Sequence, residues 1–157
     1  MKFLLTKTLS ETNLDSRRRA LHLASSMAKV TGLGGVFFKS DNQEKLLEWY
    51  KVALGIDPDF GFGKTFKWDA DDESDRDRYS VWSIFPADTK YFEPSQSGFM
   101  INFRVDDLDA IMEKLMSLGA NVVDMIEEDE YGRFGWVTDP EGNKIELWEP
   151  KSTISSD

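Results

Sequence analysis

Cysteine is absent from the 157 residues. This excludes disulfides, thiolate nucleophiles and thiolate metal ligands, and it suits a reducing, cytoplasmic setting. Histidine is nearly absent: His22, close to the N-terminus, is the one in the chain. No histidine-rich metal site, Ser-His-Asp triad or Cys-His pair can therefore be built in the body of the domain. Any general acid or base there must be a carboxylate, Tyr or Lys. No apolar run approaches the ~20 residues that a membrane-crossing helix needs. Basic charge is also scarce: 19 Lys and Arg face 29 Asp and Glu, a net charge of -10. Nucleic acid and anionic membranes both need a basic footprint, so neither is expected as a partner. What is present suffices for one core: 40% of the residues are apolar and 13% aromatic, in a chain of single-domain length.

The most strongly patterned stretch is YGRFGWVTDPEGNKIELWEP, residues 131–150. It reads as a β-hairpin. Ile145 and Leu147 alternate with Glu146 and Trp148, so the two pairs face opposite sides of a strand. Between the strands, Pro140 presets φ for a turn and Gly142 accepts a positive φ. Glu146 thus shares a face with Trp148. Two readings are open at this point: a solvent-facing strand with a paired Glu, or a carboxylate pointing into a lined pocket.

Residues 1–29 read as an arm with an amphipathic helix, capped near Thr12 and carrying Leu14, Leu21, Ala24 and Met27 on one side. A strand follows over Gly32–Ser40, then a helix over Gln43–Ala53 with Leu46, Leu47, Tyr50 and Leu54 as its stripe. Strands are expected in Pro58–Trp68 and Tyr79–Phe85, around a charged loop, DADDESDRDR. A linker runs from Pro86 to Gly98. GFMINFRV then alternates, with Met100, Asn102 and Arg104 on one face. Asp106 and Asp107 open a helix with the stripe Leu108, Ile111, Met112 and Leu115, and Asn121–Ile126 reads as a further strand. FFKSDNQEKLLEWYKVALGI and NFRVDDLDAIMEKLMSLGAN share one plan: aromatic strand, Asp cap, striped helix and Leu-Gly stop. The chain is therefore a duplicated βαβββ unit. The expected fold is α+β: two βαβββ modules, 32–86 and 98–150, forming a cup-shaped mixed sheet with helices outside. The domain spans 30–150, between the N-terminal helical arm and a tail at 151–157.

The duplicated unit, GVFFKSDNQEKLLEWYKVALGI and the ending DPEGNKIELWEP resemble the vicinal oxygen chelate superfamily. That group includes glyoxalase I, extradiol dioxygenases and bleomycin-binding proteins. The resemblance implies a divalent metal in the cup, held by His, Gln or Glu from the first and last strand of each module. Carried onto this sequence, those positions fall on Gly34, Ser83, Met100 and Glu146, of which Glu146 alone matches. A thioether and a serine hydroxyl suit hard divalent ions poorly. The expectation is a metal-free cup that binds a small organic molecule, with no cofactor. Glu146 would be a catalytic general base, and Met100, Asn102, Arg104, Trp82 and Trp148 would contact the ligand. On another reading Glu146 pairs with Arg104 and supports the sheet. The functional alternative is a metal-dependent lyase, isomerase or dioxygenase of the glyoxalase type, and a third is an interaction module with a filled cup. The resemblance also implies a homodimer.

Overall fold

The computed structural model describes residues 27–68, 78–123 and 125–151. Nearly all of the expected N-terminal arm, the acidic loop over 69–77 and the tail over 152–157 lie outside the described residues. Ala28 is buried in the core and the Lys29 amide donates to Asp106 Oδ1 at 2.8 Å, so the chain enters the domain against the second module.

The first module opens with β1 (Val30–Ser40), which begins two residues earlier than expected. Helix α1 (Gln43–Leu54) follows. Asn42 caps it by accepting from the Lys45 amide at 2.9 Å, and Gly55 ends it with φ 68°, where a Cβ would be strained. Strands β2 (Gly63–Lys67) and β3 (Tyr79–Pro86) complete the module among the described residues. The second module runs β4 (Phe99–Val105), α2 (Leu108–Ser117), β5 (Asn121–Val122), β6 (Glu127–Glu128), β7 (Gly132–Thr138) and β8 (Lys144–Pro150). The strand expected over 121–126 is interrupted: β5 and β6 both lie antiparallel to β7, as two pieces of one edge.

The eight strands form one curved mixed sheet. Its path is β2-β3-β1-β4-β8-β7-β5, with β6 also on β7. In each module the first strand lies parallel to the last, β1 with β3 and β4 with β8, and an antiparallel β1–β4 pairing joins the modules. The fold is α+β, as the alternation and the repeat imply.

Alternation sorts the side chains into two layers. Val105, Val137 and Leu147 pack under α2 with Leu108, Ile111 and Met112. On the opposite, concave face lie Phe37, Met100 and Trp136, covered by Phe92 from the segment between the modules. The final hairpin turns as its sequence dictates: Asp139 Oδ1 accepts from the amides of Glu141 and Asn143, each at 2.9 Å, and Gly142 has φ 85°. This turn fixes the register of β7 on β8 and so decides that Glu146 faces the cup.

Candidate functional site

Two register pairs build the site. The parallel ladder of β4 and β8 places Asn102 beside Glu146, and the hairpin places Trp136 opposite Glu146. All three side chains share the concave face. Glu146 is 2% exposed. Its Oε1 accepts from Asn102 Nδ2 at 2.6 Å, and its Oε2 accepts from Trp136 Nε1 at 2.8 Å. The Tyr91 hydroxyl donates to Oε2 as well. Tyr91 arrives from the segment between the modules, with its ring stacked on Phe85 at 5.5 Å. Lys144 Nζ donates to the Tyr91 carbonyl at 2.6 Å and holds that segment over the sheet.

Three neutral donors thus surround this buried carboxyl, and no ion pair from the described residues reaches it. Burial raises the Glu146 pKa; the bonds from Tyr91, Asn102 and Trp136 and the charge of Lys144 oppose this without cancelling it. Burial, then the Glu146 charge and the hydrogen bond to it, push the Tyr91 phenol upward, so Tyr91 stays a neutral donor. Burial lowers the Lys144 pKa.

Above Glu146 opens a cavity of about 470 Å³. Phe37, Val81 and Gly34 line the first module's side, and Asn102, Phe134 and Trp148 the second's. Phe60, Tyr79 and Tyr131 extend its aromatic wall, with Asp59 and Thr65 at the side. The Phe134 and Trp148 rings lie parallel, 6.2 Å between centroids. The expected pairing of Glu146 with Arg104 is not what forms. The Arg104 guanidinium instead lies over the Trp148 ring at 4.8 Å and near Tyr79 at 5.8 Å, since alternation carries it one residue pair along the strand.

Of the residues expected to meet a ligand, Asn102 and Trp148 line the cavity. Met100 is on the concave face but 1% exposed, buried among Phe37, Phe92 and Trp136 as floor rather than wall. Arg104 lies over the Trp148 ring and is not among the residues lining the cavity. Trp82 is misplaced by the sequence reading: it packs on Tyr50 of α1 at 4.8 Å and on Phe38 at 5.4 Å, on the convex side. The register pairs Phe37 with Ser83, so Ser83 faces the cup and its neighbour Trp82 cannot. The sequence reading missed Tyr91, whose only signal was an aromatic pair, Tyr91-Phe92, inside an otherwise polar linker.

The four positions at which the superfamily holds its metal do not make a ligand set here. Gly34 has no side chain, and its space is taken: a Cβ there would lie 1.8 Å from Asn102 Oδ1. Met100 is packed in the core, which leaves Glu146 as the one carboxylate among the four positions, already engaged by Asn102, Trp136 and Tyr91. Among the described residues no three of His, Cys, Asp or Glu gather within reach of one ion.

The profile of a glyoxalase-like domain matches residues 35–148. The chain belongs to that family. Its fold is that of the vicinal oxygen chelate superfamily. No curated protein matches the glyoxalase-like chain by sequence. Among solved structures, the methylmalonyl-CoA epimerase of Mycobacterium tuberculosis is similar with TM-score 0.53 and 22% identity, over 82% of this chain and 93% of that one. The methylmalonyl-CoA epimerase of Streptomyces coelicolor, solved with 2-nitronate-propionyl-CoA, has TM-score 0.55 and 16% identity, over 78% of this chain and 99% of its own. A glyoxalase/bleomycin resistance protein/dioxygenase superfamily member from Vibrio splendidus has TM-score 0.51 and 11% identity, over 78% and 99%. At these identities the likeness concerns the fold of the glyoxalase-like domain alone.

Proposed function

We propose that the cup binds a small organic molecule without a metal ion, and that Glu146 accepts a hydrogen bond or a proton from it. One observation carries this reading: a carboxyl 2% exposed, held by neutral donors only, at the bottom of an aromatic-walled cavity. A buried carboxyl without an ionic partner is costly to fold, and perturbed groups of this kind concentrate at functional sites. Its two oxygens differ. Oε2 is occupied by Tyr91 and Trp136, whereas Oε1 receives Asn102 alone. An ionised carboxylate offers about four lone-pair sites, so Oε1 keeps the one that can take a proton. The raised pKa increases its proton affinity, and Asn102, Tyr91 and Trp136 hold it in place. In a proton transfer the ligand's acidic O–H, N–H or C–H bond breaks, the proton moves to Oε1, and the electron pair stays on the ligand. Trp148 and Phe134 supply the apolar wall for the ligand's body. A homodimer and a cytoplasmic setting complete this reading: the first is implied by the superfamily resemblance, the second suits a chain without cysteine.

Metal analysis of the purified protein tests it, together with a thermal-shift screen of small organic acids, amines and heterocycles. The expected result is far less than one divalent ion per chain and at least one ligand whose stabilisation survives chelator and falls in E146Q. A stoichiometric ion that E146Q releases would overturn the reading in favour of a metal-dependent lyase, isomerase or dioxygenase.

A further inference from the structure

The polar equipment of the cavity is one-sided. Asn102 is 3% exposed, and its Oδ1 has no hydrogen-bond partner. That oxygen projects into the space over Gly34, where a side chain would otherwise stand. Beside it, Glu146 Oε1 receives Asn102 alone. The floor therefore presents two neighbouring acceptors short of donors. A buried polar atom without a partner is costly, so a ligand that supplies N–H groups gains what the site lacks.

Charge points the same way. Two carboxylates, Glu146 and Asp59, line the cavity, and among its described lining residues there is no Lys, Arg or His. The basic side chains nearby are directed elsewhere. Lys64 pairs with Asp59 at 3.5 Å, Lys144 donates to the Tyr91 carbonyl, and Arg104 lies over Trp148. Tyr131 and Phe134 line the cavity as well, and aromatic faces attract cations, as the Arg104 guanidinium over Trp148 and Tyr79 already shows. The chain's net charge of -10 adds a field of the same sign.

Building on the small-molecule reading above, we infer that the ligand is a nitrogenous cation, an amidine or protonated amine on a flat apolar body. Its N–H groups meet Glu146 Oε1 and Asn102 Oδ1, and its ring lies against Trp148 and Phe134. Anionic ligands of the same shape are rejected, because no cation among the described lining residues meets them.

Three isosteric probes test this: naphthamidine, naphthamide and naphthoate, titrated into the intact protein and followed by calorimetry and by tryptophan fluorescence. Naphthamidine should bind about tenfold or more tighter than naphthamide, and naphthoate should not bind measurably. In E146Q the preference for the amidine over the amide should fall to about one. The ranking in the unaltered protein needs no variant, so it stands even if E146Q folds poorly. Equal or tighter binding of the amide or the carboxylate overturns the cationic class while leaving a small-molecule cup. No binding by any of the three also overturns it, and the broader reading then rests on its own ligand screen and metal analysis.

Discussion

The two modules carry the same scaffold and opposite chemistry. Asn42 caps α1 five residues after Phe37, and Asp107 caps α2 five residues after Asn102, so Phe37 and Asn102 are counterparts. Their partners on the parallel neighbouring strands are Ser83 and Glu146. Where the second module places an amide beside a carboxyl, the first places a phenyl ring beside a hydroxyl. A metal shared between the modules needs donors from both. Here the amide–carboxyl pair on the cavity floor comes from the second module alone, and Phe37 of the first stands at the position equivalent to Asn102. What the comparison teaches is that duplication preserved the frame, while the two copies of the inward-facing pair took different chemical roles.

The helices diverge as well. Leu108, Ala110, Ile111 and Met112 of α2 are buried. No residue of α1 is, and Trp49, Val52 and Leu54 are exposed. Leu54 was expected in the stripe but falls in the last turn, beyond the reach of the sheet. The largest effect should therefore separate the two helices. Leu108→Ala removes a fully buried side chain and should cost ~2–5 kcal/mol, whereas Leu46→Ala in half-buried α1 should cost less than ~2 kcal/mol. Chemical denaturation of both variants checks this. Equal losses would erase the difference between the modules' outer layers.

Much of this was legible in the sequence, for reasons that particular residues show. Alternation in GFMINFRV and KIELWEP was clean because each strand has one face under α2 and one in the cup, so Asn102, Glu146 and Trp148 could be placed without coordinates. The cap of α2 at Asp106 and Asp107 and the turn through Pro140 and Gly142 are local chemistry and read directly. Trp82 failed because its strand, YSVWSIFP, is apolar or small on both faces. Period-2 patterning then gives no parity, and a slip of one residue reverses the face. Tyr91 failed because nothing local tells a linker that its tyrosine will meet a carboxyl 55 residues away. The empty space over Gly34 could be named as a missing ligand but not as the seat of Asn102 Oδ1, since that contact crosses strands.

The asymmetry can be broken from the first module's side. Gly34→Ala places a methyl group 1.8 Å from Asn102 Oδ1. The Asn102 amide is tied to Glu146 and cannot swing away freely, so the variant should lose ~1–3 kcal/mol. It should also lose ligand affinity without losing any side chain that touches the ligand. A melt unchanged from that of the unaltered protein would show that the amide yields at no cost and that Gly34 does not fix the site.

Next comes the carboxyl itself, read through pH. The folded-state pKa of Glu146 is raised above its ordinary 4.5. Its contribution is therefore fully present below that ordinary value and is lost as pH rises through the folded pKa. E146Q carries no such group, and its amide can keep the bonds from Tyr91 and Trp136 while Asn102 flips. The variant's melting temperature, measured relative to the unaltered protein, should therefore rise between acidic and neutral pH. A relative fall over that range would mean that Glu146 is stabilised as an anion, which would remove the argument for a base.

The smallest expected effect tests how the segment between the modules serves the second one. Tyr91→Phe removes the hydroxyl on Glu146 Oε2 but keeps the ring stacked on Phe85 and the backbone carbonyl that Lys144 holds. Trp136 still donates to Oε2, so the carboxyl keeps two of its three donors. The loss should be about 0.5–1.5 kcal/mol, the net worth of one hydrogen bond. Its sign at the site is more informative than its size. The Tyr91 bond opposes the rise in the Glu146 pKa, so removing it should move that pKa further up. The relative gain of E146Q over its Glu146 parent should then start at the same pH but level off at higher pH, and at a larger value, in the Phe background than in the Tyr background. A double-mutant cycle of Tyr91→Phe with E146Q, melted across that range, measures the displacement. If the plateau does not move, Tyr91 packs against the cup without tuning the carboxyl, and Glu146 is governed by Asn102 and Trp136 of the second module alone.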